Sequence, residues 1–162
     1  MKSVLLSIQP KWCELIASGK KTIEVRKTRP KLKTPFKCYI YCTNWKDNTY
    51  WKSHYKDKLG KVIGEFVCDE ITGGFWITPF ADYLHKQSCL SYREVWDYSN
   101  GKPIFSWHIS DLVIYDKPRE LREFSSGSSR LEFSNTKDGF PREWSGMKRP
   151  PQSWCYVESK KG

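Results

Sequence analysis

No apolar run in these 162 residues approaches the roughly 20 that a membrane-spanning helix needs, so no helical span is expected within them. Methionine is scarce, no C-x-x-C pair occurs, and the three histidines (His54, His85, His108) are scattered. That pattern offers no zinc-ligand spacing, so neither a metal nor a cofactor is expected. The sequence lacks a G-x-S-x-G element, which leaves a serine-hydrolase elbow without support. Its Ser-Ser-Gly-Ser-Ser run at 125–129 lacks the lysine and the strand–helix setting of a phosphate loop. There is no internal repeat. The start, Met1 to Ile8, has too short an apolar stretch for a signal peptide, because Gln9, Pro10 and Lys11 interrupt it. It reads instead as a first strand, and a cytoplasmic location is expected. In that setting the six cysteines (13, 38, 42, 68, 89, 155) are expected as free thiols. Cys38 and Cys42 share a strand face, but the rise per residue sets them about 13 Å apart, too far to bridge.

Acidic residues are also in short supply, with 18 Asp and Glu against 28 Lys and Arg and a formal charge of +10. A positive field of this size favours polyanions, nucleic acid first. Eight tryptophans, nine tyrosines and eight phenylalanines supply core material that no disordered chain carries. Residues 1–162 are therefore read as one domain, with mobile loops near 44–59 and 125–149.

Along the chain, Pro10 suits a first helical position, Trp12, Leu15 and Ile16 follow at helical spacing, and Gly19 ends the helix. Residues 20–27 read as a second strand. Phe36 to Thr43 alternates as a third, with Phe36, Cys38, Ile40 and Cys42 on one face and Lys37, Tyr39, Tyr41 and Thr43 on the other. Lys61 to Ile71 reads as a fourth, with Gly64 a candidate bulge. Ser91 followed by Glu94 is a capping box opening a helix beneath which Val95 and Trp96 are expected to pack. One or two strands lie around residues 104–115, and a closing strand spans 153–158. Many short strands with two or three short helices point to an α+β fold whose mostly antiparallel sheet closes into a barrel.

The chemistry concentrates between Gly19 and Lys37, where eight residues are basic and only Glu24 is acidic. Lys20, Lys21, Arg26, Lys27, Arg29 and Lys31 form a candidate phosphate-contact surface, equally readable as a solvated basic face. Strand alternation sets Thr22, Glu24 and Arg26 on one face and Lys21, Ile23 and Val25 on the other. A lysine in phase with apolar residues must reach a cleft mouth or find an anion, and there it could bind phosphate or act as base or nucleophile. Trp45 and Trp51, beside Lys46 and Lys52, could stack bases or fold onto the core. His108, between Trp107 and Ile109, reads as a satisfied strand residue.

The run Leu6-Ser7-Ile8-x-Pro10, a short helix, then Gly19-x-Lys21-x-x-Glu24-x-Arg26 resembles the N-terminal signature of ASCH domains. Tyr41-x-Thr43, Gly60-Lys61-Val62-Ile63-Gly64, the stretch from Trp107 to Asp111, and Pro151 to Val157 fit the same pattern, the last as in bacterial and phage members. The resemblance implies a PUA-like β-barrel whose cleft beside the first helix is lined by Lys21, Glu24 and Arg26 and takes RNA, a nucleoside or a nucleotide. Some members are N4-acetylcytidine amidohydrolases using a Lys, a Thr and a Glu, and others are credited with ribonuclease activity. Lys21 matches the lysine. Glu24 stands where the threonine belongs, and the distant Glu has two imaginable counterparts, Glu70 and Glu94. The expected function is RNA or nucleotide binding. The alternative is hydrolysis by Lys21 and Glu24, and no protein partner is indicated.

Overall fold

A computed structural model describes residues 2–44, 49–74, 81–126 and 146–159. Strand β1 (Ser3–Ile8) leads into helix α1 (Pro10–Ala17), then β2 (Ile23–Arg26) and β3 (Phe36–Cys42). Helix α2 (Thr49–His54) follows, with β4 (Lys61–Cys68), β5 (Ile71–Gly73), α3 (Ala81–Ser88) and α4 (Tyr92–Ser99). The chain continues through β6 (Phe105–His108), β7 (Ser110–Arg119), a 3-10 turn (Leu121–Glu123), β8 (Phe124–Ser126) and β9 (Trp154–Ser159).

Six strands form one sheet in the order β7-β4-β3-β1-β9-β8, and three form a second in the order β2-β6-β5. The β1–β3 pair is parallel and every other pairing is antiparallel. The α+β class and the antiparallel bias stand, but the expected closed barrel does not. Among the described residues β7 and β8 stay as open edges, and β2 pairs across to β6 in a separate sheet. Alternation in a sequence reports which face a side chain takes, not which strand lies beside it. Among the described residues there are four α-helices rather than two or three.

The main core lies between the two sheets and α1, where Val4, Leu6, Ile8, Cys13, Ile16, Cys38, Ile40, Cys42 and Trp107 are buried together. Tyr39 and Tyr41, on the opposite face of β3, are buried as well, in a second cluster with Leu5, Val62, Leu121, Phe124 and Val157. The central strands β1 and β3 are thus covered on both faces, as parallel neighbours usually are. The third cluster joins Ile23 and Val25 of β2 to Leu84, Val95 and Ile104. All six cysteines are free.

Two glycines are required where they stand. Gly19 ends α1 in the left-handed region at φ +75°. At Gly64 the β3–β4 and β4–β7 registers both slip, and a Cβ there would stand 2.5 Å from the Val113 carbonyl oxygen. The Ser91 box forms as expected, with Glu94 N–H donating to Ser91 Oγ at 3.1 Å and Ser91 N–H donating to Glu94 Oε2 at 2.8 Å. Below it Val95 is buried, but Trp96 is 62% exposed, because its position on α4 turns it away from the third cluster. Within the expected 44–59 loop, Thr49–His54 is helical. Of the 125–149 loop, Ser125 and Ser126 belong to β8, and residues 127–145 lie outside the described residues.

Candidate functional site

The pairing of β2 with β6 sets Glu24 opposite Trp107 and Arg26 opposite Phe105, so these side chains turn toward the main core while Ile23 and Val25 enter the third cluster. Lys21 joins Glu24 and Arg26 rather than the apolar face on which alternation would set it. Residues 21 and 22 precede the strand: Lys21 N–H donates to Leu15 O at 2.9 Å and Thr22 N–H to Gln87 O at 2.9 Å, hooking this segment to the ends of α1 and α3. The strand period starts only at Ile23, and Lys21 escapes it.

Lys21 is 3% exposed, and its Nζ donates to Ser88 O at 2.8 Å and lies 3.3 Å from Glu24 Oε2. The Trp12 ring lies 5.3 Å from the same ammonium. Arg26 Nη2 lies 3.0 Å from Glu24 Oε1 and donates to Ser7 O at 2.8 Å, and its Nη1 donates to Ser153 O and Oγ, both at 3.2 Å. The guanidinium therefore ties β2 to β1 and to the start of β9. A fixed planar fork suits that task better than an ammonium does.

Three polar atoms around this triad are buried without a hydrogen-bond partner among the described residues: Glu24 Oε2, Arg26 Nε and Thr43 Oγ1. Lys21 is near enough to Glu24 Oε2 for electrostatic pairing but is out of hydrogen-bond alignment. Buried polar atoms are almost always satisfied in folded proteins, so three orphans in one place need a reason.

The triad forms the inner wall of a cleft of about 850 Å³. Trp12 of α1 lies on one side, Glu94, Asp97 and Tyr98 of α4 on another, Thr43 and Asn44 at the end of β3, and Gln152 and Ser153 before β9. Its charged lining is Lys21, Arg26 and Lys27 against Glu24, Glu94 and Asp97, so the formal charge of the cleft is zero in a protein of charge +10. Of the two glutamates that could answer the amidohydrolase pattern, Glu94 faces the cleft, while Glu70 is exposed and gives its carbonyl to His108 N–H.

Lys27 lines the cleft, with its ammonium 4.9 Å from the Tyr98 ring. Arg29 and Lys31 are exposed on the loop between β2 and β3. Lys20 is exposed at the other end of β2, where its carbonyl accepts from Cys89 Sγ, apart from that loop. Trp51 is half-buried, packed on the main core and in T-shaped contact with Tyr50 and Tyr55. Trp45 lies outside the described residues. His108 pairs through Nδ1 with Asp69 Oδ1 at 2.6 Å. Trp12, Tyr98, Thr43 and Ser153 were not singled out as site residues in the sequence; Trp12 had only a helical-spacing signal, and Thr43 lay in a matched motif.

Residues 6–119 match the ASCH domain. The crystal structure of ASCH from Zymomonas mobilis is similar over 96% of this chain and 87% of that one, with a TM-score of 0.63 at 22% identity. A tyrosine-to-phenylalanine variant of that protein is similar over 99% and 93%, with a TM-score of 0.64 at 21% identity. A serine-to-alanine variant is similar over 98% and 89%, also at 0.64, with 20% identity. No curated protein matches this sequence.

Proposed function

The chain belongs to the ASCH domain family, and from that premise we propose that its cleft binds a single nucleoside unit of RNA, the base innermost and the phosphates outside. The observation that carries this reading is Glu24, which lines a cleft of zero formal charge, nine-tenths buried, with Oε2 lacking a hydrogen-bond partner among the described residues. An orphaned buried acceptor costs about 1–3 kcal/mol, which a ligand N–H or O–H recovers on binding. A phosphate there would meet Glu24, Glu94 and Asp97 as well as the cations, and it brings no proton for Oε2. A base edge or ribose hydroxyl does bring one. Arg26 Nε offers a donor within the same triad, and the cleft volume lies in the range of small-ligand sites. Trp12 and Tyr98 supply aromatic surface of the kind that holds unpaired bases.

A hydrolytic reading draws on Thr43 Oγ1 and Glu94, which face the same cleft as Lys21 and Glu24. Binding is favoured because Lys21 Nζ is engaged as a cation, donating to Ser88 O and paired with Glu24. A base or nucleophile needs that nitrogen neutral and free.

Calorimetric titration with the four ribonucleosides and their 5′-monophosphates tests the proposal, each sample being checked for chemical change. Glu24→Gln, which keeps shape and removes charge, should weaken binding at least about tenfold, the range of a hydrogen bond to a charged group. Unchanged affinity in Glu24→Gln sinks the reading. Product formation that disappears in Lys21→Met moves the conclusion to hydrolysis.

A further inference from the structure

We infer that single-stranded RNA runs past the cleft along one wall only, formed by the loop between β2 and β3 and the segment entering β9, with Lys148 and Arg149 as phosphate contacts that no sequence motif marked. The inference rests on the cleft holding the base, since that fixes where the strand must pass.

The two sides of the cleft differ in charge. On the α4 side stand Glu94 and Asp97, whose neighbouring cations are already engaged: Lys11 lies 3.5 Å from Glu94 and Arg93 2.9 Å from Asp97. Past Lys27 and Thr28, which line the other side, Arg29, Lys31 and Lys33 of the following loop are exposed and make no ion pair among the described residues. Their backbone is nonetheless held. Pro30 is buried and Leu32 packs on the main core. Lys31 N–H donates to Tyr156 Oη at 2.8 Å, and Trp154 Nε1–H donates to Thr28 Oγ1 at 3.0 Å. This loop presents free cationic heads on a fixed main chain, which lowers the ordering cost of binding.

Lys148 and Arg149 are likewise exposed and without an ion pair among the described residues. Pro151, two residues on, accepts from Ser7 Oγ at 2.6 Å, and Ser153 receives Arg26 Nη1 at the cleft wall. Three residues reach at most about 11 Å, which bounds the distance of the Arg149 backbone from Gln152 at the cleft edge. With Glu94 and Asp97 paired to Lys11 and Arg93, the α4 side is formally neutral, so the unpaired cations of the other side draw a polyanion to theirs. A base held in the cleft calls for an unpaired strand, whose bases can turn out of the stack.

The test measures fluorescence anisotropy of a short mixed-sequence RNA over a salt series, together with calorimetric binding of nucleoside monophosphates. The variants are Lys148→Glu/Arg149→Glu and a control reversal, Lys56→Glu/Lys117→Glu, at exposed positions beside α2 and on the β7 edge. The wall pair should weaken RNA binding at least about tenfold and reduce the salt slope by about 1.4, near 0.7 for each lost single-strand phosphate contact. Monophosphate affinity should stay within about twofold, and the control should move RNA affinity less than about twofold, as expected of charge remote from the contact. Equal weakening by the control, or an equal loss of monophosphate binding in the wall pair, overturns the inference. Equally tight binding of the same DNA sequence, or of phosphatidylserine vesicles, overturns RNA as the occupant. Wild-type binding of RNA without monophosphate removes the cleft reading and leaves the wall. Binding of monophosphate without RNA removes the wall and leaves the cleft.

Discussion

Two clusters of charge sit on opposite faces of this fold, and their partners are arranged differently. On the outer face of the six-stranded sheet, Lys37 Nζ donates to Glu65 Oε1 at 2.7 Å and Tyr115 Oη donates to Glu65 Oε2 at 2.5 Å. Arg119 Nε donates to Glu123 Oε2 at 3.0 Å with its guanidinium 4.6 Å from the Phe124 ring. Both oxygens of the central carboxylate are thereby satisfied, in a place where Lys37 is still 42% exposed. In the Lys21–Glu24–Arg26 triad every side chain is nine-tenths buried or more, yet one carboxylate oxygen and one guanidinium nitrogen have no hydrogen-bond partner among the described residues. Desolvation makes an unmet polar atom costlier inside than outside. The better-satisfied network occupies the cheaper location, and that difference supports the proposed reading of the triad as a ligand site and of the outer network as a fastening.

That contrast can be broken most sharply at Arg26. Arg26→Ala removes its bonds to Ser7 and Ser153 and leaves buried Glu24 with Lys21 alone, so it should cost about 3–5 kcal/mol in urea unfolding, as for a broken buried pair. A loss under about 1 kcal/mol would erase the energetic distinction between the clusters. At the rim of the outer network, Gly64→Ala should cost about 1–3 kcal/mol, because β4 and β7 must part to admit the new methyl beside Val113 O. Ligand affinity should not change, and a change would link the two faces.

Glu65→Gln should cost about 1 kcal/mol and leave ligand affinity intact. Burial alone would push the Glu65 carboxyl up, but hydrogen bonds from Lys37 and Tyr115 outweigh it and hold it below its ordinary 4.5. A carboxyl lowered in the folded state stabilises the fold above its unfolded value and loses that contribution as pH falls through the folded one. Acid unfolding of Glu65→Gln should therefore show a shallower loss of stability below pH 4.5 than the wild type. An unchanged acid limb would remove Glu65 as a contributor. Smallest of all, Lys37→Met should shift stability by about 0–1 kcal/mol, the range for a half-exposed pair.

Much of the order of elements was legible because local chemistry determines it. Pro10 and Gly19 bracket α1, Ser91 and Glu94 open α4, and the slip at Gly64 sits where a bulge was expected. The misses have physical causes. Helix α3 shows little helical patterning because Leu84 is its one buried hydrophobic among the described positions. Alternation set Tyr39 and Tyr41 on the other face of β3 but could not tell solvent from the second apolar layer in which they are buried. Trp96 was expected inside on its size and spacing, but α4 buries only Val95 and Ser99.

By itself the sequence determined the residue types of the candidate site. Gly19-x-Lys21-x-x-Glu24-x-Arg26 supplies two cations and a carboxylate at the end of a short helix, and the spacing sets Glu24 and Arg26 on one strand face. Only the tertiary structure decided what those charges face. Lys21 points into the cleft because residues 21 and 22 are hooked to α1 and α3, and its ammonium meets the Ser88 carbonyl 67 residues away. Arg26 is fixed by Ser153, 127 residues away, and the cleft becomes neutral because α4 brings Glu94 and Asp97 to it. Periodicity acts over a few residues and is written into the chain. Electrostatic partners are set by the packing of distant segments, and no local pattern records them.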